Sequence, residues 1–407
     1  MGPLINQVAK IQKNRIEITF TGIFIFPIKK KLTKNFSVLL QSNLNMESNT
    51  NVQHSALSVQ KGIEQPSQVN PYWQQKPVKK RHPLTTEDYI KGILSGNRVL
   101  LSQAITLIES AHLEHQKIAQ EIIQQLLPYS GNSFRIGITG VPGAGKSTFI
   151  ESFGNALIAQ KHKVAVLAVD PSSERSKGSI LGDKTRMETL SVNPHAFIRP
   201  SPSGATLGGV TRKTRETIIL CEAAGFDRIL IETVGVGQSE TAVHGMVDFF
   251  LLLMISGAGD ELQGIKRGIM EMADTIVINK ADGDNIMRAN LAKTQYQSTL
   301  KMFPPTLSGW IPLVECCSAL EHHNIEQIVQ IIQKYFDLTL QNGYFQRHRL
   351  EQQQLTLTSL IQDRLTASFY HHQGIKPLFE QLSEDLKHQK ISPYQAVEQL
   401  MQYYQNH

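Results

Sequence analysis

Six short stretches in the middle of the chain are apolar at nearly every position: 134–139 (FRIGIT), 163–169 (KVAVLAV), 228–232 (RILIE), 248–255 (DFFLLLMI), 275–279 (TIVIN) and 310–314 (WIPLV). They are rich in β-branched residues, lack the alternation of a half-exposed strand, and are separated by segments long enough for helices. That pattern predicts an α/β fold with a mostly parallel sheet covered on both faces. Upstream, apolar residues recur at helical spacing: Tyr89, Ile93 and Leu94; Leu100, Leu101, Ala104, Ile105 and Ile108; Ile118, Ile122 and Leu126. Two or three helices are therefore expected before Pro128. Downstream, Ile325, Ile328, Val329, Ile332 and Phe336 form one apolar stripe, and further helices are expected over 345–370 and 376–388. Ser392-Pro393-Tyr394-Gln395 supplies an N-cap, a first-position proline and a box residue for a last helix.

Residues 46–82 break this pattern, being rich in Asn, Gln, Ser and Pro with few apolar positions, as in a disordered arm. Met46 opens that segment, so residues 1–45 read either as upstream sequence or as part of the arm. The expected organisation is an N-terminal arm (1–82), N-terminal helices (83–130), an α/β domain (131–322) and a C-terminal helical segment (323–407). The longest apolar run in the arm, 18–28 (ITFTGIFIFPI), falls well short of the roughly 18 residues of a membrane span and has no small-residue cleavage site. No membrane association is expected.

Charge first suggests a different partner. The 407 residues hold 41 Lys+Arg against 35 Asp+Glu, a net +6, which invites a nucleic-acid reading. Residues 1–80 alone carry 11 Lys/Arg and 3 Asp/Glu, or +8, leaving −2 for the remainder. The excess lies outside every motif, and no nucleic-acid partner is expected. The three cysteines, Cys221, Cys316 and Cys317, exclude a disulfide framework and fit a reducing compartment.

The chemistry begins where the first apolar run ends. Gly140-Val141-Pro142-Gly143-Ala144-Gly145-Lys146-Ser147 matches G-x-x-x-x-G-K-[ST] between a predicted strand and an amphipathic helix carrying Phe149, Ile150, Phe153 and Leu157. Glycines let backbone N–H groups close around a polyphosphate, the helix N-terminus adds partial positive charge, Lys146 reaches the β- and γ-phosphates, and Ser147 is a Mg²⁺ ligand. Asn279-Lys280-Ala281-Asp282 ends another run. A carboxylate there can accept both N1–H and the exocyclic amine of guanine, donors that adenine lacks on that edge. The expected nucleotides are therefore GTP and GDP. Ser318-Ala319-Leu320, after the last run, would bring a backbone N–H near the guanine oxygen. Asp170 and Glu232 end two further runs and share the expected sheet edge with Ser147. With Asp183, in a loop, they are candidate Mg²⁺ positions, capping of the next helix being the plainer reading of each. Glu232-Thr-Val-Gly235 resembles the D-x-x-G element of GTPases, in which Gly235 would offer its N–H to the γ-phosphate. Lys146 is the candidate catalytic cation, and Glu232 and Gln238 lie near the place of a water-positioning group.

Longer blocks carry a family resemblance: 170–173 (DPSS), 178–187 (GSILGDKTRM), 199–202 (RPSP), 207–212 (LGGVTR), 232–240 (ETVGVGQSE) and 262–266 (LQGIK). They resemble the MeaB/ArgK family, the methylmalonyl-CoA mutase-associated GTPases. The resemblance implies a homodimeric P-loop GTPase of the signal-recognition and metallochaperone-like (SIMIBI) class. Such a protein escorts an adenosylcobalamin-dependent acyl-CoA mutase, gating cofactor delivery and protecting the enzyme. It further implies that 140–148, through Thr148, hold the phosphates, that Ser147, Asp170, Asp183 and Glu232 surround Mg²⁺, and that Asn279, Lys280 and Asp282 read guanine. Segments 232–240 and 260–268 resemble its switches, and 323–407 its dimerisation segment. Two alternatives remain: a nickel-type metallochaperone GTPase, which would need a Cys/His metal site, and a kinase role in lysine, arginine and ornithine transport. Bacterial cytoplasm is the expected location, with the mitochondrial matrix as the alternative.

Overall fold

A computed structural model of the chain describes residues 84–169, 187–200, 207–233, 239–257 and 267–406. Seven strands form one all-parallel sheet: β1 (Phe134–Gly140), β2 (Val164–Val169), β3 (Ala196–Arg199), β4 (Arg228–Thr233), β5 (Phe249–Ile255), β6 (Thr275–Asn279) and β7 (Leu313–Cys316), in the order β3-β2-β4-β1-β5-β6-β7. The uninterrupted apolar runs follow from burial on both faces, and Phe249–Leu253 and Thr275–Asn279 are buried throughout. From β1 the chain crosses to one side of the sheet, and after β4 it crosses to the other. That reversal opens a crevice above the carboxyl end of β1.

The sequence pattern missed β3, only four residues long, and misplaced the last strand. Residues 310–314 were the expectation, but β7 starts at Leu313, because Pro312 has no N–H for the ladder and the Trp310 indole turns aside to donate to Asp274 O (2.9 Å).

Three helices precede the sheet, α1 (Thr86–Leu94), α2 (Arg98–Glu109) and α3 (Leu113–Leu126), and Pro128 sits in the 3₁₀ turn that follows. Thr85 and Asp88 close α1 with a reciprocal capping box, and the Asn97 carboxamide caps α2. Around the sheet lie α4 (Lys146–Ala159), α5 (Glu188–Val192), α6 (Leu207–Ala223), α7 (Ser239–His244), α8 (Arg267–Met272) and α9 (Ile286–Leu300). The stripe of Ile328, Val329, Ile332 and Phe336 packs α10 (Ile325–Gln341) into the same core as the sheet and the first three helices.

The chain ends in α11 (Tyr344–His371), α12 (Ile375–Lys387) and α13 (Pro393–Asn406), the last begun by the Ser392–Gln395 exchange. Ile375, Leu382, Ala396 and Leu400 give α12 and α13 a small core of their own. In contrast, α11 buries only Gln352 along 28 residues and exposes Leu350, Leu355, Leu357, Ile361 and Leu365. One buried cation ties it to the amino edge of the sheet. Arg349 grips both oxygens of Asp248 at 2.7 Å, donates to Ser133 O, and lies 4.3 Å over the Phe345 ring. Among the described residues no helix is long and apolar enough to cross a membrane.

Candidate functional site

The loop from β1 to α4 is shaped by its glycines. Gly143 and Gly145 take φ of +78° and +84°, where a side chain is strained. At Gly140 the constraint is steric: a Cβ there would stand 2.2 Å from Leu253 O on the neighbouring strand. Ala144 N–H turns back to Val141 O, and Phe149 N–H to Gly145 O opens α4. Val141 and Ala144 are buried beneath the loop, whereas Pro142, Gly143 and Thr148 face solvent at its mouth. The first-turn amides of α4 point into the concavity, the arrangement that receives anions. Lys146 folds back across the loop and donates from Nζ to Gly140 O (3.0 Å). Burial draws its pKa down, and the carboxylates of Glu232 and Glu240 oppose that shift.

Glu232 is buried near the end of β4, in register with Ile138 of β1 and Ala168 of β2. Its Oε1 stands 3.5 Å from Ser147 Oγ, so these two candidate Mg²⁺ ligands do converge. A hydroxyl and a carboxylate are the hard oxygen donors that Mg²⁺ prefers. Asp170, Asp183, Gly235, Gln238 and most of 260–268 lie outside the described residues. Glu240, in the first turn of α7, is almost fully buried, and no motif in the sequence gives it a role.

The second half of the site follows β6. Asn279 is buried, and its carboxamide joins three segments: Nδ2 donates to Ala144 O in the phosphate loop (2.8 Å), and Oδ1 accepts from Ala319 N–H (3.0 Å) and the Cys317 thiol (3.5 Å). Burial pushes that thiol up to about 12, so it remains a protonated donor. Gly145 leaves room for this clamp, since a Cβ there would lie 2.9 Å from Asn279 Nδ2. Asp282 accepts from Ser318 Oγ, which sets one carboxylate oxygen. Ala319 N–H is committed to Asn279, so Leu320, exposed beside it, carries the neighbouring amide of that loop. Lys280 takes φ +60° between Asn279 and Asp282.

Sequence reasoning also missed Ser152. Its hydroxyl, buried on α4, donates to Ala319 O and forms a second strut between the phosphate helix and the base loop. No motif marks it, and a Ser within an amphipathic helix carries no signal of its own.

The cysteines are all free and buried, while His322, His323 and His371 are exposed. Among the described residues no three His, Cys, Asp or Glu side chains gather as a metal-binding group.

The family model described as methylmalonyl Co-A mutase-associated GTPase MeaB matches residues 101–374. The GTPase ArgK of Escherichia coli is 44% identical over 321 residues, covering 79% of this chain and 97% of the relative. The mitochondrial methylmalonic aciduria type A homolog of Mus musculus is 44% identical over 320 residues, 76% of this chain and 77% of its own. A solved structure described as an LAO/AO transport system kinase matches with a TM-score of 0.64 at 38% identity, over 79% of this chain and 97% of that one.

Proposed function

The chain belongs to the methylmalonyl-CoA mutase-associated GTPase (MeaB) family and is a P-loop hydrolase of GTP; from that premise we propose that it is the nucleotide-driven chaperone of an adenosylcobalamin-dependent acyl-CoA mutase. Methylmalonyl-CoA mutase is the first candidate partner, suggested by the family's own description. In this reading the protein acts in the bacterial cytoplasm as a homodimer, with residues 131–322 as the GTPase domain and the exposed leucines of α11 within the dimerising segment 323–407.

The observation that carries the reading is the clamp at Asn279. It joins a phosphate cradle and a guanine-selecting carboxylate into one frame on one sheet edge. Residues 140–148 wrap the phosphates with backbone N–H groups, and Lys146 leaves Gly140 O to meet the β- and γ-oxygens. Glu232 and Ser147 fit Mg²⁺, with Asp170 and Asp183 as further ligands; the ion, when bound, neutralises phosphate charge. Asp282 selects guanine. Gln238 or Glu232 aligns the attacking water. Glu232 and Gln238 both stand near the place of the water-positioning group and the chain singles out neither, so intrinsic turnover should be slow and accelerated by the partner, as in a switch.

Two measurements test this. Lys146→Ala should abolish phosphate release from GTP, and unchanged hydrolysis would remove the assigned role. The full-length protein, loaded with a non-hydrolysable GTP analogue or with GDP, should retain methylmalonyl-CoA mutase in only one of the two states. Equal or absent retention overturns the partner assignment. A second reading, protein phosphotransfer, is favoured by the structural relative described as a transport system kinase. It requires label from γ-³²P-GTP on a protein acceptor, whereas the GTPase reading requires it all as inorganic phosphate.

A further inference from the structure

The turn that reads the base is held from behind by a residue that no motif marks. Lys280 lies in the left-handed region, which residues with side chains rarely enter, and a turn of this kind persists only where its surroundings over-determine it. Besides Ala281 N–H, which donates to Cys317 O (3.0 Å), and Ser318 on Asp282, those surroundings include Asn285, the last residue of the 3₁₀ turn Gly283–Asn285. Its backbone N–H donates to Asp282 O (3.0 Å), and its Nδ2 donates to Lys280 O (2.6 Å). The two bonds span Asp282 from either side. The remaining polar atom, Asn285 Oδ1, accepts from Ser256 Oγ at 2.6 Å. Ser256 follows β5 directly, and β5 is paired with β6 up to Ile255 and Asn279. The Lys280 carbonyl, which can only accept, fixes which end of the carboxamide faces it, and the Ser256 hydroxyl anchors the other end from the tip of β5.

We propose that Asn285, anchored by Ser256, is a positioning residue for guanine selection, holding the Lys280 turn so that the Asp282 carboxylate meets both donors of the base. The proposal rests on Asp282 as the base contact. The bonds described for these two side chains run to each other and to Lys280, not to the phosphate loop. Its effect therefore falls on the recognition of the exocyclic amine and leaves the chemical step alone. Guanine preference is thereby tied to the end of β5, a strand that carries none of the candidate base-reading residues.

The test compares guanine with hypoxanthine nucleotides, which differ only in that amine, on the full-length protein. Competition of GDP and IDP against a fluorescent GDP gives the preference, and steady-state GTP hydrolysis gives KM and kcat. Ser256→Ala and Asn285→Ala should each raise KM for GTP about three- to tenfold, the usual net worth of one hydrogen bond, with kcat within twofold of the parent. The GDP-over-IDP preference should shrink by at least threefold, and Ser256→Thr, which keeps the hydroxyl, should restore both. Ser256→Ala removes a single oxygen, so it carries the test if Asn285→Ala does not fold. A GDP-over-IDP preference within 1.5-fold of the parent in Ser256→Ala overturns the proposal, as does a fall in kcat without a change in preference. Asp282→Asn is the control: if it leaves the preference intact, the base reading itself fails. If it abolishes the preference while Ser256→Ala preserves it, only the positioning role fails.

Discussion

Replacing Arg349 with alanine should destabilise the protein by about 3–5 kcal/mol, the usual cost of removing one partner from a buried ion pair. The local geometry supports the upper part of that range. Asp248 has a side chain only 2% exposed, and its two oxygens receive Arg349 Nε and NH2 at 2.7 Å. The Arg135 N–H, at 2.8 Å on Oδ2, would be the one remaining donor described for it. Removing the guanidinium also takes a donor from Gly131 O and Ser133 O, and cation–π packing from Phe345. Arg349→Lys keeps the charge but not the two-pronged grip, and should lose about half as much. In the double variant Asp248→Asn/Arg349→Ala the stranded charge is gone, so its loss should be smaller than the sum of the two single losses by at least 1 kcal/mol. Urea unfolding of all four variants, followed by circular dichroism, measures these differences through the midpoint at constant slope. KM for GTP should stay unchanged, because the pair lies at the amino edge of the sheet and the nucleotide site at the carboxyl edge. A loss under 1 kcal/mol for Arg349→Ala, or strict additivity in the double variant, would refute the reasoning.

Gly140→Ala should fail to accumulate as folded protein or lose GTP binding outright, since its Cβ would meet backbone rather than a yielding side chain at 2.2 Å; nucleotide-dependent thermal shift reads this. Ser152→Ala strands the buried Ala319 carbonyl, and is expected to cost about 1–3 kcal/mol in thermal stability and to weaken GDP binding, measurable by calorimetry. His244 is pushed down to about 4 by burial and by the nearby His348, so it is neutral when folded and binds a proton on unfolding below its ordinary 6.5. The stability it supports is complete above pH 6.5 and is lost as pH falls towards 4, by ~2–3 kcal/mol. His244→Gln should flatten the stability profile across that window; an unchanged slope would assign the acid sensitivity elsewhere.

What could be read from the chain, and what could not, divides along a physical line. Strands buried on both faces must be apolar at every position, so 228–232 and 275–279 announced themselves. Ala196–Arg199 did not, since four residues ending in an arginine resemble a loop as much as a strand. The phosphate loop was legible because its geometry demands glycine at the two positions the motif fixes, Gly140 by its close approach to Leu253 O and Gly145 by its positive φ. Asn279 and Asp282 were legible because N-K-x-D at the end of a strand is the spacing expected of a guanine-reading turn. Ser152, Ser256, Asn285 and Arg349 were not. Each acts through a partner between 5 and 218 residues away along the chain, and a serine or asparagine at such a position looks like any surface polar residue until the fold brings its partner within 3 Å. The shift of the last strand to Leu313 has the same origin, since it depends on where the Trp310 indole finds an acceptor.

The clamp at Asn279 bears on the timing of the nucleotide cycle. Because one carboxamide braces Ala144 in the phosphate loop and Ala319 beside the base, neither wall can open alone. In the proposed reading, hydrolysis removes only the outermost phosphate and leaves GDP between both walls. Departure of the product should then require the two walls to part together, a concerted opening that follows bond cleavage as a separate step of the cycle. A partner that hastens product release would act by prying at this brace.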